Sequence, residues 1–557
     1  MRSLIPTSLL VIVLGALVSL GACRSQRMDA KPAMAAIPVA AGEATATQAG
    51  AARNTTGEAT LLLMADIRGV LRPCGCTVDL QKGGFERLKP HLEAERAAFP
   101  GAHLLHAGPL FYEGPEVEAA KKAQRSRQVE VAADLVRRAG IDTVALTAVD
   151  LAASHGKLHA LLDTAKVGAT VANVTVPEGH SYPRFLVRRI GGLEVGILAL
   201  ASDAHTEALG DQATVTSPKD AAAKVIAEMA PKTDVIVLLS GLGLRQTKRL
   251  VRKVKGIDFA IVGGLGEHPI ATDEAELVGE TRVMQFHREG RFVGRLTVRQ
   301  VNGQRAFVDV SSPSEAELKV LTARISALEA SLARWGKEGV AETDRAVRSA
   351  RHHLSSLTAE RERLRSLKGG AAEGEAKGKS TYSYRVTPLN WDLPQDPEVL
   401  SLMDAFDEEL KVINLANAGT LPEAKPGEAV YVGVDECLSC HEDTQAYWDN
   451  DQHHHAWETL EGLKKTFDVE CVSCHVTGYG KPGGSILGKT EGREDVQCEA
   501  CHGPGSIHAE SEDIADIIAK PTEAMCVTCH NAHHSPKFDF ATWRKRIIVP
   551  GHGLPLN

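Results

Sequence analysis

The spacing of apolar residues changes along this 557-residue chain, and each change implies a different kind of structure. Near the start, Arg2 precedes an apolar run over residues 9–20, too short to cross a bilayer comfortably and of the length of a secretory core segment. Residues 24–57 are rich in Ala, Thr and Gly without a period, the composition of a tether. From residue 59 to about 302, short aliphatic and β-branched runs recur at 60–64, 102–106, 143–147, 169–174, 194–199, 235–240 and 259–262. Amphipathic stretches such as 116–139 separate them, so the pattern predicts an α/β sandwich ending near residue 310.

The period then changes. Leu318, Leu321, Ile325, Leu328, Leu332 and Trp335 follow a 3,4,3,4,3 spacing that puts one narrow apolar seam along a helix. Residues 336–339 (Gly-Lys-Glu-Gly) break it, and Val340, Val347, Ala350, Leu354, Leu357 and Leu364 resume a heptad seam. An antiparallel helical hairpin (coiled coil) about 30 Å long over residues 313–368 is the economical reading. Two helices packed on the α/β domain are the alternative. Residues 369–429 read as linker with one helix, 397–417, whose proline sits in the first turn. The expected division is therefore 1–22 leader, 23–58 tether, 59–310 α/β domain, 313–368 hairpin, 369–429 linker and helix, and 430–557 a further domain of mainly helical and irregular structure.

Composition narrows the partners. The chain is long enough for two or three domains. Its formal charge of −8 and pI near 6.3 leave no polyanion footprint, so nucleic acid is not an expected partner.

The chemistry concentrates in the last quarter. Four Cys-x-x-Cys-His motifs lie within 94 residues: Cys437, Cys440 and His441; Cys471, Cys474 and His475; Cys498, Cys501 and His502; Cys526, Cys529 and His530. Each supplies two thiols to form thioethers with haem vinyls and then an imidazole for the iron, so four covalently bound haem c groups are expected. Zinc would need four ligands from paired half-sites, and disulfides would leave the four following histidines to chance. Met403 and Met525 are the only methionines after residue 284, and Met525 adjoins Cys526, so histidine must supply most second axial ligands. Outside the motifs stand His453, His454, His455, His508, His533, His534 and His552. Bis-histidine ligation implies low potentials.

Three resemblances add to this. The sequence Leu20-Gly21-Ala22-Cys23 resembles a bacterial lipobox, which implies export and acylation of Cys23; Arg24 in place of aspartate favours the outer membrane over the inner. Residues 430–557 resemble the tetrahaem cytochromes of the c-554 type through Tyr431-Val432-Gly433, His453-His454-His455-Ala456, the stretch 474–479, the third motif followed by residues 503–508, and His534-Ser535-Pro536. That resemblance makes His453 (or His455), His508 and His534 the best distal ligands. It also leaves the second motif without an obvious partner, unless His552 or a spare member of the histidine run serves it.

Residues 61–301 resemble the metallophosphoesterase domain of 5'-nucleotidases through the framework phrases at 63–69, 83–88, 105–111, 171–174 and 256–264. The family's metal ligands are replaced: Asp66-Ile67-Arg68 stands for Asp-x-His, Gly108-Pro109 for Gly-Asp, Thr147-Ala148-Val149-Asp150 for Gly-Asn-His-Glu, Ser240-Gly241 for Ser-His, and Leu265-Gly266-Glu267 for the last His-x-His. Two-metal hydrolysis needs such a cluster. Only Asp66 and His268 remain near it, so phosphatase activity is expected to be absent. Cys74 and Cys76 follow the first strand, either as a structural pair or as a redox or soft-metal site.

The expectation is an exported, lipid-anchored electron carrier at the periplasmic side or the outer membrane, serving unidentified redox partner proteins, with self-association through the hairpin. A multihaem oxidoreductase acting on a small nitrogen or sulfur species at an open haem is the alternative.

Overall fold

The strand Gly57–Ala65 shows how the α/β part is built. Alternate side chains of a strand face opposite ways. Leu61 and Leu63 accordingly join one apolar cluster, while Leu62 and Met64 join another. The first cluster is the seam between two sheets, shared with Ile197, Val237, Leu239, Phe259 and Ile261. The second lies under helices, with Phe85, Leu88, Val129 and Val136. Leu198, Leu200, Ile236 and Leu238 turn outward from the other sheet onto Val225, Ile226, Leu250 and Val251. The result is helices, sheet, sheet, helices, the sandwich expected from the pattern.

The structure, a computed structural model, describes residues 54–73, 81–177, 181–264, 272, 274–311, 315–341, 345–366, 376–531, 534–535 and 538–547. Residues 1–53, where a leader, a tether and an acylated Cys23 are expected, and also Cys74, Cys76, His268, His533 and His552, lie outside the described residues.

One sheet has seven strands, in the order Val308–Asp309, Thr381–Pro388, Phe292–Gln300, Gly57–Ala65, His103–Ala107, Thr143–Ala145 and Gly168–Thr170. The other has six, from Glu276–Val278 through Thr281–Gln285, Phe259–Val262, Val235–Ser240 and Leu193–Leu200 to Phe185–Ile190. The first sheet does not end near residue 310. Thr381–Pro388, read from composition as linker, pairs antiparallel with Phe292–Gln300 over eight residues, Phe292 opposite Pro388 to Arg299 opposite Thr381. Its alternating exposed and buried side chains, with Tyr382, Tyr384 and Val386 in the seam between sheets, explain why it belongs there. Helices Glu315–Lys337 and Arg345–Ser366 are thus inserted between two strands of one sheet, and they meet through Leu321, Ile325, Leu357 and Leu364. The helix Pro397–Ala416 is part of the sandwich as well, since Val399, Met403, Phe406 and Leu410 enter the helix-side cluster.

The loops at the carboxyl ends of the first sheet are fixed by buried carboxylates. Asp150 is 2% exposed and accepts N–H groups of Leu110, Phe111 and Tyr112 at 2.8, 2.9 and 3.1 Å, together with the Thr147 hydroxyl. Asp66 accepts the Gly264 N–H at 2.8 Å and lies 3.6 Å from the guanidinium of Arg68, which also donates to the Gly264 carbonyl. Gly108 cannot be replaced here, because a β-carbon would fall 1.9 Å from Asp66 Oδ1. Among the described residues no three His, Cys, Asp or Glu side chains converge in a metal-binding group. A cleft of about 470 Å³ remains, lined in part by Arg68, Pro109, Glu113, Thr147, Ser202 and His205.

The segment beyond residue 430 consists of short helices and turns. A side-chain lattice joins it to the sandwich. Gln124 donates to Asp468 at 2.6 Å and accepts from Asn414 at 2.6 Å and from the Val469 N–H at 3.2 Å. Arg125 pairs with Glu470, and Asn414 donates to the Phe467 carbonyl at 2.8 Å. Burial alone would lower the pKa of Lys465, yet Asp468 and Asp407, at 3.0 and 3.5 Å, carry it above the usual lysine value.

Two outcomes follow from the buried carboxylates. Asp150→Ala leaves three N–H groups unpaired and destabilises the sandwich by about 3–5 kcal/mol in thermal or denaturant unfolding; a loss no larger than that of a surface variant would contradict this role. Burial pushes the Asp66 pKa up to about 6 against the opposing pull of Arg68. A carboxyl whose folded pKa exceeds its unfolded value of about 4 binds more protons when folded, so its stability contribution falls as pH rises from about 4 to 6. Asp66→Asn therefore matches the parent near pH 4 and becomes more stable by about 3 kcal/mol above pH 6.5. A difference independent of pH would rule this out.

Candidate haem-binding site

Each motif is presented by a short helical turn. The first lies on Val434–Cys440, the second on Val469–His475, the third on Cys498–His502, and the fourth begins on Glu523–Cys526. In a helical turn the first cysteine and the fourth residue on share a face, so both thiols and the following histidine address one body.

Neighbouring turns are locked by polar side chains lying between the cysteines or just before them. Glu499, between the cysteines of the third motif, is 1% exposed. Its carboxylate accepts the N–H groups of Val432 at 2.9 Å, Gly433 at 2.7 Å and Gly505 at 2.7 Å. Gln497 accepts the Val434 N–H at 2.9 Å. The third motif thus satisfies the exposed donors at the start of the first motif's helix. Gly433 has φ +96°, and a β-carbon there would meet the Arg493 guanidinium at 2.4 Å. Asp468 caps the second motif's helix by accepting the Glu470 N–H at 3.0 Å.

The thiols converge in two pairs. Cys437 and Cys498 share a hydrogen bond, which raises the pKa of the first and lowers that of the second. Cys474 and Cys529 do likewise, with Cys474 brought down to about 6 and Cys529 raised. Motif one therefore lies beside motif three, and motif two beside motif four. No disulfide joins the eight motif cysteines in this structure.

The imidazoles are oriented from behind. His475 Nδ1 lies 2.5 Å from the Ala456 carbonyl, His502 Nδ1 2.7 Å from the Ile518 carbonyl, and His508 Nδ1 2.9 Å from the Asp513 carbonyl. A carbonyl only accepts, so Nδ1 carries the proton in all three and Nε2 keeps its lone pair for a metal. His453 Nδ1 bonds the Asp451 carboxylate at 2.8 Å, and His530 Nδ1 the Ser535 hydroxyl at 2.9 Å. Burial holds His475, His502 and His530 below the ordinary imidazole pKa, which favours the neutral, ligating form.

Two of these rings face a second imidazole. His441 and His508 have centroids 6.3 Å apart with planes 19° from parallel, and His453 and His530 have centroids 6.0 Å apart at 77°. Two imidazoles that bind one iron from opposite sides, each about 2 Å away through Nε2, have centroids roughly 6 Å apart. His455 is placed differently: it stacks on His454 at 5.3 Å, with Nδ1 3.6 Å from Glu458. Of the residues proposed as distal ligands, the rings of His508 and His453 thus lie beside motif histidines, and that of His455 beside His454. His534 has its N–H bonded to Asn531 at 3.1 Å. No ring among the described residues faces His475.

The residues fit haem c. The segment's own apolar cluster is only Leu460, Val472, Val476 and Leu487, with a few partly buried neighbours. Meanwhile Ile507, Ile514, Ile518 and Val527, close in sequence to the third and fourth motifs, are 37–68% exposed. Apolar porphyrin faces held by these motifs would supply the missing core partner. Sequence reasoning found every cysteine and motif histidine, but it missed Glu499, Gln497, Asp451 and Asp468. Their signal was faint, an acidic or amide residue next to or inside a motif, and nothing local says where it will reach.

Comparison with known proteins agrees. A family model described as cytochrome c554 and c-prime matches residues 436–503, which carry the first three motifs. Cytochrome c-554 of Nitrosomonas europaea is 32% identical over 152 residues, 21% of this chain and 65% of that protein, so the match spans just under two thirds of the relative's length. Among solved structures, a 5'-nucleotidase precursor of Thermus thermophilus is similar at TM-score 0.42 and 17% identity, covering 64% of this chain and 59% of that one. The NAD nucleotidase of Haemophilus influenzae is similar at TM-score 0.43 and 15% identity, covering 68% and 64%. The carboxyl-terminal part of the chain is a cytochrome c554 domain, and covalent haem c is the cofactor that family implies.

Proposed function

We propose that the chain is an exported, lipid-anchored electron carrier that holds four covalent haems at low potential and passes single electrons between redox partner proteins. The observation that carries this reading is the two pairs of neighbouring imidazoles, His441 with His508 and His453 with His530, whose centroid separations of 6.3 and 6.0 Å match two rings that share one iron. Haem iron supplies one-electron chemistry without bond rearrangement. The protein's residues supply the rest. The cysteines fix each group covalently, the Nδ1 partners hold the imidazoles in one tautomer and orientation, and Glu499 and Asp468 hold the turns in register. Histidine on both faces favours the ferric state and so a low potential.

In this reading the α/β domain is a non-hydrolytic platform for the second motif, through Gln124, Arg125 and Asn414. The inserted pair of long helices acts as a coiled-coil spacer or self-association element, and Cys23 carries the lipid that keeps the carrier at its membrane. A second reading rests on His475: with no described imidazole opposite, the second haem is the place where a small nitrogen or sulfur species would bind and be oxidised or reduced.

Electron paramagnetic resonance separates the two readings. The carrier reading predicts low-spin ferric signals from all the haems, with His508→Ala converting one of them to high-spin and leaving the others unchanged. A high-spin signal in the parent protein that responds to nitric oxide or hydroxylamine would transfer the second haem to the enzymatic reading. Metal-replete protein is predicted not to hydrolyse nucleoside monophosphates, with or without manganese; turnover above a protein-free control would refute the platform role.

A further inference from the structure

The axial candidates differ in what stands behind them, and one differs in charge. His475, His502 and His508 direct Nδ1 at neutral backbone carbonyls, and His530 at a hydroxyl. His453 directs Nδ1 at a carboxylate, Asp451 Oδ1, at 2.8 Å. The same oxygen accepts the His453 N–H at 2.9 Å, and Oδ2 accepts the Tyr447 hydroxyl at 2.8 Å. Among the described residues no lysine or arginine pairs with Asp451.

We infer that Asp451 is a positioning and tuning residue that makes the iron held between His453 and His530 harder to reduce than it would be with a neutral acceptor behind His453. The inference rests on the haem reading above. A carboxylate draws the Nδ1 proton toward itself, which makes Nε2 a stronger donor and stabilises the ferric state. Its negative charge acts in the same direction, since reduction removes one positive charge from the metal. Tyr447 moderates the effect: its hydroxyl takes up part of the electron density that Oδ2 would otherwise leave available to the imidazole. Asp451, Tyr447 and His453 thus form a relay in which one residue sets the potential and the next limits it. The site at the fourth motif then lies at the low end of the set, where electrons pass through or leave rather than accumulate.

A purely structural account of Asp451 is available, because it also caps the turn Gln452–His455 by accepting the His453 N–H. Asparagine separates the two roles. It is an equally good cap, and its amide oxygen accepts both the N–H and Nδ1–H, but it carries no charge.

The test is a spectroelectrochemical titration of the full-length holoprotein, with the haems resolved by their paramagnetic signals. Asp451→Asn is expected to raise the midpoint of the His453–His530 haem by a shift equal to about a tenfold change in its ferric-to-ferrous ratio, about 59 mV for one electron, with smaller changes at the others. Tyr447→Phe removes the competing donor and is expected to move the same midpoint the opposite way by about threefold in that ratio. Unchanged midpoints in both variants, or a shift of the same sign in both, would overturn the inference while leaving the haem reading intact. A parent protein with no reducible haem would remove the haem reading itself.

Discussion

The hydrogen bond behind the imidazoles of His453, His475, His502, His508 and His530 is the constraint on which the carboxyl-terminal segment depends. A ring anchored at Nδ1 has one tautomer and one direction, and its Nε2 lone pair is available at a fixed point. His508 lies 6.3 Å from His441, and His453 lies 6.0 Å from His530, ring centroid to ring centroid, so the anchored rings bring distant turns of the segment together. The acceptors are mostly main-chain carbonyls of turns 5 to 16 residues further on: Ile518 serves His502, and Asp513 serves His508. Those turns have little apolar reason to be where they are. The ligand geometry and the buried Glu499 carboxylate give them one.

The sandwich meets this constraint from outside. It is built by ordinary apolar alternation and can hold its own shape, whereas the haem-binding segment buries few apolar side chains of its own. The lattice of Gln124, Asn414, Asp468, Arg125 and Glu470 transfers that rigidity to the helix of the second motif. The loops at the carboxyl ends of the first sheet, held by the Asp66–Arg68 pair and by Asp150 gripping residues 110–112, serve as the stiff base. The sandwich and the haem-binding segment are thus mechanically coupled at the second motif.

Much of this was legible in the chain's own pattern. Short aliphatic runs marked the strands from Gly57–Ala65 to Phe259–Val262, because strands buried on both faces read as continuous apolar segments. The four motifs could be placed to the residue, since covalent attachment demands one local spacing. Thr381–Pro388 was missed because it is an outer strand with alternating polarity, set after a Gly- and Lys-rich stretch that reads as linker. Its place depends on Phe292–Gln300, some ninety residues earlier. His508 and His453 were proposed by resemblance, and the structure places their rings beside His441 and His530. His455 differs from its neighbour only in which way its turn points, which no local pattern records.

The central claim is that residues 430–547 are organised around four covalently held irons. Intact-mass measurement of the mature protein, made under denaturing conditions so that only covalent groups are retained, tests it most directly. The account predicts an excess of four haem masses over the polypeptide, falling by one in a variant with both cysteines of any single motif changed to alanine. An excess of fewer than four, or a chain carrying zinc and no haem, would contradict it.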